Sequence, residues 1–191
     1  MNEIKTIKEK SRQYGELITN MLSIPEVVDL EEKACIGYVI TTSVENNRKK
    51  EDIPPFFHEV YDNNKLYHLW DTSCRDMYCI FKMHKNGRDF DYYIATENKL
   101  NLQETGYVEI NVPQAKYVKV EVLKKNHTAV SEIMMYLNGV WMAANDYKPS
   151  FSPAFIHYDE RFHANYRQYG RIEGNYPGNP IATLYMPIER S

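Results

Sequence analysis

"AVSEIMMYLNGVWMAANDYKPSFSPAFIHYDE", residues 129–160, contains two different patterns in succession. In the first, apolar residues such as Ile133, Leu137 and Trp141 recur every three or four positions, the spacing of one face of an amphipathic helix. In the second, SPAFIHYDE (152–160) is rich in aromatic and apolar side chains, which is typical of a strand. The stretch therefore predicts a helix followed by a strand.

Further strands are predicted on both sides of this helix and strand. GYVEINVP (106–113) and KYVKVEVL (116–123) precede the helix, and PIATLYMPI (180–188) follows the strand. The intervening HANYRQYGRIEGNYPGNP (163–180) is rich in glycine, asparagine and tyrosine, and we expect a long loop there. The last four predicted elements of the chain are therefore a strand, a helix and two strands.

The first half of the chain predicts the same order of elements. ACIGYVITTS (34–43) is a strand pattern, and IPPFFHEVYDNNKLYHLW (53–70) predicts a helix because prolines suit a helix N-terminus. DMYCIFKMHK (76–85) and DFDYYIAT (89–96) are strand patterns joined by Asn86-Gly87, a strong hairpin signal. The two halves therefore repeat one another about 80 residues apart.

This repetition predicts an α+β fold built from tandem βαββ modules related by a pseudo-two-fold axis. The modules span about 33–100 and 101–191, and together they form one domain over residues 30–191 with a central cleft. Residues 1–29 form an N-terminal amphipathic helix, over residues 1–24, and a linker. This helix is too short to supply a helix-turn-helix unit.

Composition disfavours nucleic acid as a direct partner. The 191 residues include 23 Lys and Arg against 26 Asp and Glu, a net charge of −3, so no basic field exists to hold a phosphate backbone. Hydrophobic residues make up 43% of the chain, enough for a buried core. Tyrosine is abundant, with 16 residues, and its flat ring with a polar tip suits pockets for aromatic ligands as well as cores.

Three cysteines, Cys35, Cys74 and Cys79, form no CxxC pair, which favours reduced thiols in a cytoplasmic protein. The charged N-terminus resembles no signal peptide, and no stretch approaches the roughly 20 apolar residues of a membrane helix. We therefore expect a cytoplasmic protein without membrane contact.

The motifs of metal sites and of nucleophilic catalysis are missing from the sequence. Cys74, Cys79 and His84 are near one another, but their spacing matches no CxxC or HxxxH arrangement. No GxSxG elbow occurs, and the glycines of residues 170–178 lack the GK[ST] ending of a phosphate-binding loop. We therefore predict no metal, no cofactor and no catalytic residue.

Several motifs of the C-terminal half resemble one known family. They are the helix ending GVWM (139–142), Asp146-Tyr147, SPAFIHYDE, the final LYMPIE (184–189), and the upstream TGYVEINVPQAKYVKVEVLKKNH (105–127). Together they resemble the GyrI-like small-molecule-binding domain, also called the AraC-type effector-binding domain. That family includes the drug-binding half of multidrug-responsive regulators, and its fold is a tandem βαββ pair around a pocket.

The resemblance implies an aromatic pocket and one notable departure from the family. The family's "Phe-Glu-x-Tyr" strand matches Phe155 and Tyr158, but its glutamate position is Ile156. A buried carboxylate there can hold a lipophilic cation or take part in acid/base chemistry, and isoleucine can do neither. An aromatic strand that only fills the core remains the alternative. The ligand-binding residues that we predict are Tyr78, Tyr93, Trp141, Phe155, Ile156, Tyr158 and Tyr185.

The resulting hypothesis is a stand-alone protein that binds a hydrophobic or aromatic small molecule, either in a role related to transcription regulation and multidrug binding or to sequester a toxin. One alternative is a hydrolase of strained or electrophilic genotoxic natural products, using Glu109, Glu121 or Glu160. A second alternative is an interaction protein that inhibits a larger enzyme such as gyrase. A homodimer through the N-terminal helix, or a partner protein, would be compatible with each.

Overall fold

The described part of the chain is dominated by one antiparallel sheet. The computed structural model describes residues 20–70, 75–99, 106–124, 129–169, 178 and 180–191, and nine strands lie within them. They are β1 Glu26–Leu30, β2 Lys33–Ser43, β3 Met77–Met83, β4 Asp89–Glu97, β5 Val108–Val112, β6 Ala115–Leu123, β7 Tyr147–Pro149, β8 Ala154–Tyr158 and β9 Ile181–Arg190.

Besides a short 3-10 turn, Glu45–Asn47, three helical segments connect the strands within the same described ranges. α1 spans Lys49–Phe57 and continues as a π-helical segment, His58–Asp62. α2 spans Ala129–Tyr136 and continues through the π-helical Leu137–Trp141 and the short α-helical Met142–Ala144. α3 spans Glu160–Tyr169.

The order of the strands confirms the tandem βαββ arrangement. The sheet runs β1-β6-β9-β8-β3-β4-β2-β5, with β7 paired to β9. One module is β2-α1-β3-β4, and in it β4 lies between β2 and β3. The other module is β6-α2-β8-β9, and in it β9 lies between β6 and β8. The modules meet at the β3–β8 pair, which lies on the pseudo-two-fold axis.

The edge strands are exchanged between the modules, and this curls the sheet. β1 precedes β2 in the chain but pairs with β6, while β5 precedes β6 but pairs with β2. Only Pro113 and Gln114 separate β5 from β6, although the two strands lie near opposite ends of the strand order. So short a connection requires the sheet to bend. Side chains of β2, β5, β6 and β8 meet on the face opposite the helices, so the sheet bends towards that face. We call this the concave face.

Each face of the sheet carries its own hydrophobic cluster, as strand alternation requires. On β8, Ile156 and Tyr158 join the helix-side core, which includes Phe57 and Phe162. Phe155 points the other way and joins the concave-face cluster. Both faces of the sheet are therefore buried over its central strands.

The predicted helix over residues 53–70 begins too late and ends too late. Helical residues start at Lys49 and end at Asp62, so Pro54 and Pro55 lie inside the helix and not at its N-terminus. Proline has no N–H, so the helix lacks two of its usual backbone hydrogen bonds there. The charged residues before Ile53 hid the first turn, because they give no apolar spacing.

The long loop predicted for residues 163–180 is partly wrong, since α3 continues through Tyr169. The backbone N–H of Arg161 donates to Oδ1 of Asp159 over 2.9 Å, which caps the first turn. Phe162 and Tyr166, four residues apart, face the core side together, with ring centroids 5.7 Å apart. This spacing was the missed signal, obscured by the polar residues around it.

The N-terminal helix predicted for residues 1–24 lies mostly outside the described residues. Its end is not helical: Met21 forms a β-bridge with Val122, and the Leu22 N–H donates to the Glu121 carbonyl over 2.8 Å. The predicted hairpin at Asn86-Gly87 is confirmed, with Gly87 at a φ of 66°. None of the described helices has the length and apolar character needed to cross a membrane.

Candidate ligand-binding site

Three aromatic rings from separate elements meet on the helix side of β8. Tyr158 comes from the end of β8, Phe57 from the end of α1 and Phe162 from the first turn of α3. The ring centroids of Tyr158 and Phe162 are 4.4 Å apart, and those of Phe57 and Tyr158 are 6.2 Å apart. The polar residue that these rings surround is Lys124, directly after β6.

The ammonium of Lys124 lies in an aromatic cage. Its Nζ is 4.5 Å from the ring centroid of Tyr158, 5.3 Å from that of Phe57 and 5.5 Å from that of Phe162. It also donates a hydrogen bond to the Tyr158 hydroxyl. Cations over aromatic faces are attracted by the ring quadrupole, most strongly where water is excluded. We call these four residues the lysine cage.

Burial affects the protonation of Lys124 in the cage. Lys124 is only 7% exposed, and loss of solvation lowers the pKa of its ammonium to about 8. A negative charge on Cys79, on β3, would act in the opposite direction on that pKa. Burial raises the pKa of Cys79 itself to about 11, so the thiol is neutral at pH 7. At that pH Lys124 keeps its proton, and the cage contains a buried positive charge.

A second group of rings continues the cage towards solvent. Tyr61 stacks on Phe57 with centroids 5.3 Å apart, and on His163 with centroids 5.6 Å apart. Trp70 contacts His163 edge-on at 5.5 Å, and Tyr166 contacts Tyr61 edge-on at 4.8 Å. Tyr61, Trp70 and Tyr166 are half-buried. We call Tyr61, Trp70, His163 and Tyr166 the rim, and the rim and lysine cage together the aromatic cluster.

The rim contains a buried titratable pair. The Tyr61 hydroxyl lies 2.7 Å from Nδ1 of His163. His163 is 2% exposed, and burial lowers the pKa of its imidazole. Burial likewise raises the pKa of the Tyr61 hydroxyl. Both groups are therefore neutral at pH 7 and are held by their mutual hydrogen bond.

Carboxylates surround the aromatic cluster at its outer edge, and each one contacts a named partner there. Asp62 accepts a hydrogen bond from the Tyr166 hydroxyl over 2.8 Å and pairs with His58. Asp159 pairs with Arg161, with 2.8 Å between Nη2 and Oδ2. Negative charge is thus placed outside the cluster, on residues that contact solvent.

The concave face has an aromatic cluster of a different kind. Tyr78 stacks on His157 with centroids 4.8 Å apart, and Phe155 stacks on Tyr185 at 4.6 Å. Nε2 of His157 lies 3.0 Å from Oδ1 of Asp76 at the half-exposed border. The rings of the concave-face cluster are Tyr78, Tyr93, Tyr117, Phe155 and Tyr185. Its interior is largely apolar, and the buried Tyr117 hydroxyl donates to the Pro153 carbonyl over 3.2 Å.

The structure divides the seven predicted ligand-binding residues between the two faces. Tyr78, Tyr93, Phe155 and Tyr185 lie in the concave-face cluster. On the helix side, Tyr158 belongs to the lysine cage and Ile156 lies two residues before it on the same strand face. Trp141, also on the helix side, stacks on Tyr147 with centroids 6.0 Å apart. One ligand that contacts all seven from a single face is therefore excluded by strand alternation.

Sequence reasoning missed most of the aromatic cluster. His163 and Tyr166 lie in the predicted loop, and recognition of α3 would have aligned them with Phe162. Phe57 and Tyr61 were assigned to a helix without a role in the site. Lys124 had no signal, because a lysine after a strand is usually solvated.

The carboxylates considered for hydrolysis lie outside the aromatic cluster. Glu109 is exposed on β5, Glu121 pairs with Arg161 at 2.7 Å, and Glu160 pairs with Arg167 on the surface of α3. Among the residues that the structure describes, no three His, Cys, Asp or Glu side chains are grouped as a metal site.

An open groove of about 660 Å³ lies elsewhere, at the end of the sheet where β5 meets β6. Its lining includes Met83, Pro113, Phe151 and Ile188, and none of the seven predicted residues.

Comparisons with known proteins agree with this geometry. The fold is that of a small-molecule-binding domain of the GyrI-like class, as the sequence motifs predicted. The chain belongs to the family of integron-associated effector binding proteins, whose model matches residues 26–188. Comparison with curated proteins finds no match.

Three solved structures share the fold at low sequence identity. The structure of SAV2435 bound to tetraphenylphosphonium has a TM-score of 0.64 and 14% identity, covering 87% of this chain and 94% of that one. A protein described as a bacterial transcription regulation protein from Staphylococcus aureus MU50 has a TM-score of 0.61 and 18% identity, covering 87% and 98%. The integron cassette protein Cass2 from the mobile metagenome of Vibrio cholerae has a TM-score of 0.52 and 13% identity, covering 86% and 95%.

Proposed function

We propose that this protein binds a hydrophobic, aromatic small molecule in its aromatic cluster. One observation carries the proposal: rings from α1, β8 and α3 converge on a single buried ammonium, and further rings lead from it to solvent. Membership of an effector-binding family supports ligand binding in general. The aromatic ligand of SAV2435, a protein of the same fold, supports an aromatic compound.

Stacking and burial provide the affinity in this proposal. Aromatic pairs contribute about 0.5–1.5 kcal/mol beyond the burial of their area. The half-buried rings of Tyr61, Trp70 and Tyr166 offer stacking surfaces that contact water. Inside, the rings of Tyr158 and Phe162 fill the cage themselves. A ligand therefore binds first on the rim and gains further contacts by displacing a cage side chain.

The cellular role that we propose is sequestration of a toxic aromatic compound in the cytoplasm. A net charge of −3 argues against direct nucleic-acid binding. The shared fold with a transcription regulation protein supports a regulatory alternative, in which ligand binding is passed on to a partner protein.

Thermal-shift and calorimetric titrations with a panel of polycyclic aromatic compounds test the proposal. The panel includes neutral compounds, anions and tetraphenylphosphonium, and a bound compound raises the unfolding midpoint by mass action. Two matched variants locate the site: Phe162→Leu in the lysine cage, and Phe155→Leu in the concave-face cluster. Both side chains are buried, at 0% and 2% exposure, so each variant removes one buried ring.

We expect Phe162→Leu to weaken binding about three- to tenfold, the value of one lost ring contact, and Phe155→Leu to leave affinity unchanged. The reverse pattern would move the site to the concave face and overturn the location. The absence of binding by every compound in the panel would overturn the function.

A further inference from the structure

One phenylalanine is held in solvent on a turn that is anchored on both sides. The side chain of Phe151, between β7 and β8, is 108% exposed, more than any other large apolar side chain of the described residues. Before it, the backbone N–H of Ser150 donates to the Pro187 carbonyl over 3.1 Å. After it, Pro153 is buried, and its carbonyl accepts a hydrogen bond from the Tyr117 hydroxyl over 3.2 Å. Because both flanks are fixed to the sheet, the exposed ring has a defined position.

The exposed ring borders the open groove of about 660 Å³ at this end of the sheet. Met83, itself 52% exposed, lines the groove together with Pro113, Pro153 and Ile188. A cavity of roughly 150 Å³ is enough to hold benzene, so the groove has room for a second aromatic ring beside Phe151. One patch of surface therefore carries both a projecting ring and a recess large enough to receive one.

The charged residues of the groove are of both signs. Lys82 and Glu189 line it, on β3 and β9. Glu189 pairs with Lys148 over 3.3 Å, and both side chains of this pair are more than half exposed. So exposed a pair contributes little to stability, and Glu189 can change partners at little cost. Two copies that meet through this surface can therefore place Lys82 of one copy against Glu189 of the other, without the repulsion of two like-charged surfaces.

This surface is complementary to itself. We call it the Phe151 patch, and it consists of Lys82, Met83, Pro113, Phe151, Ile188 and Glu189. A two-fold contact between identical chains requires that a feature and its receptor lie on the same patch. We propose that the Phe151 patch binds a second copy of this chain, with Phe151 of each copy inserted into the groove of the other. A separate ligand would account for the groove but not for the ring that projects beside it.

The size of the patch predicts a weak dimer. Eleven residues line the groove, whereas a stable interface takes roughly 20–30 residues from each partner. We therefore expect a dissociation constant on the order of 10–100 μM. A second copy in the groove also covers Ala115, which packs against the concave-face cluster. The inference concerns this surface and does not depend on the function proposed for the aromatic cluster.

Sedimentation velocity of the full chain at concentrations from about 1 to 500 μM measures the self-association. Phe151→Ser should raise the dissociation constant at least about a hundredfold, because each dimer loses two buried rings. The variant keeps the fold of the monomer, since the ring is exposed there. Met135→Ser is the matched control: Met135 on α2 is 53% exposed and lies outside the groove, so the dissociation constant should not change.

Charge exchange then tests the two-fold geometry. Lys82→Glu and Glu189→Lys should each weaken self-association about three- to tenfold, because each homodimer then contains two like-charged pairs. An equimolar mixture of the two variants should regain the affinity of the unmodified chain, because both pairs of the mixed dimer are opposite in charge. A fluorescent label on one of the two variants identifies the mixed dimer.

Three results would overturn the inference. A chain that stays monomeric over the whole concentration range overturns the dimer and leaves the function proposed for the aromatic cluster in place. Self-association that Phe151→Ser does not weaken overturns the assignment to the Phe151 patch, since the copies then meet through another surface. A mixture of Lys82→Glu and Glu189→Lys that associates no better than either variant alone overturns the two-fold pairing. Circular dichroism of each variant verifies that the fold is retained.

Discussion

The two faces of the sheet carry aromatic clusters of similar geometry and different chemistry. On the helix side Tyr158 and Phe162 pack with centroids 4.4 Å apart, and on the concave face Phe155 and Tyr185 stack at 4.6 Å. The helix-side cluster encloses an ammonium and an imidazole. The concave-face cluster keeps its histidine, His157, at a half-exposed margin.

This comparison shows that aromatic content alone does not distinguish a binding site from a core. Tyrosines occur on both faces, and stacking distances are alike. What differs is that the helix side buries an ammonium and an imidazole, whose desolvation costs free energy that a well-packed core would avoid. Burial shifts pKa values on both faces, since it raises those of Cys35 and Tyr117 on the concave face to about 12. The pKa of Lys124 is instead lowered to about 8, into the range in which functional groups titrate, and this favours the helix side.

The first prediction tests the difference between the two faces by removing one phenylalanine from each. Phe162→Ala and Phe155→Ala should each lower the free energy of unfolding by about 3–5 kcal/mol, since both rings are fully packed. Urea denaturation at pH 7.5 measures both values. A cost below about 1 kcal/mol for Phe162→Ala alone would show that the lysine cage is a loosely filled cavity and not core.

A second prediction concerns the buried ammonium. Lys124→Met should raise the free energy of unfolding at pH 7.5 by on the order of 2 kcal/mol, because it removes a buried charge and keeps the apolar stem. Folding lowers the pKa of Lys124 from 10.5 to about 8. Between these values the unfolded chain holds a proton that the folded protein has released, so the stability of the unmodified protein rises with pH.

The advantage of Lys124→Met should therefore be full below pH 8 and shrink from pH 8 upwards. Urea denaturation of both proteins at pH 7, 8 and 9 measures the difference. Burial raises the pKa values of the Cys35 and Cys79 thiols to about 12 and about 11, so both thiols stay neutral in the folded state up to pH 9 in either protein and the comparison isolates Lys124. A difference that does not change with pH would show that the ammonium is solvated.

The repeated order of elements could be read from the sequence because each strand of the sheet centre is strongly patterned. ACIGYVITTS and the Asn86-Gly87 hairpin lie where they were predicted, and two βαββ modules follow from them. β1 and β7 were missed, since they are short, have few buried residues and depend on pairing with β6 and β9. Such edge strands are specified by tertiary contacts and not by their own composition.

The candidate site was predicted less well than the fold. The β8 strand and its apolar substitution at Ile156 were identified, but the partners of Tyr158 come from α1, α3 and the end of β6. Contacts between such distant parts of the chain follow from the packing of helices on the sheet, which local patterns do not encode. Lys124 shows this most clearly, because only the fold reveals that a lysine is buried there.

A third prediction compares two tyrosine hydroxyls. Tyr61→Phe should lower the free energy of unfolding by about 1–2 kcal/mol, because Nδ1 of buried His163 loses its 2.7 Å partner. Tyr117→Phe on the concave face removes a longer bond, 3.2 Å to the Pro153 carbonyl, and should cost about 0.5 kcal/mol. Chemical denaturation at pH 7.5 compares the two variants. Equal losses in the free energy of unfolding would mean that polar contacts do not distinguish the two faces.

The smallest effect that we predict is an acid sensitivity of the rim. Burial holds the pKa of His163 below its ordinary value of 6.5. Below pH 6.5 the unfolded chain therefore takes up a proton that folded His163 does not, and the stability that His163 contributes is lost as the pH falls.

His163→Phe separates this effect from the other histidines, because phenylalanine retains a ring against Tyr61 and cannot titrate. At pH 7.5 the variant should be less stable by about 1 kcal/mol, having lost the hydrogen bond from Tyr61. At pH 5.5 the deficit should shrink, because only the unmodified protein must keep a neutral imidazole there. A deficit that stays constant between the two pH values would mean that His163 titrates alike in the folded and unfolded states. The contrast between the two faces would then rest on Lys124 alone.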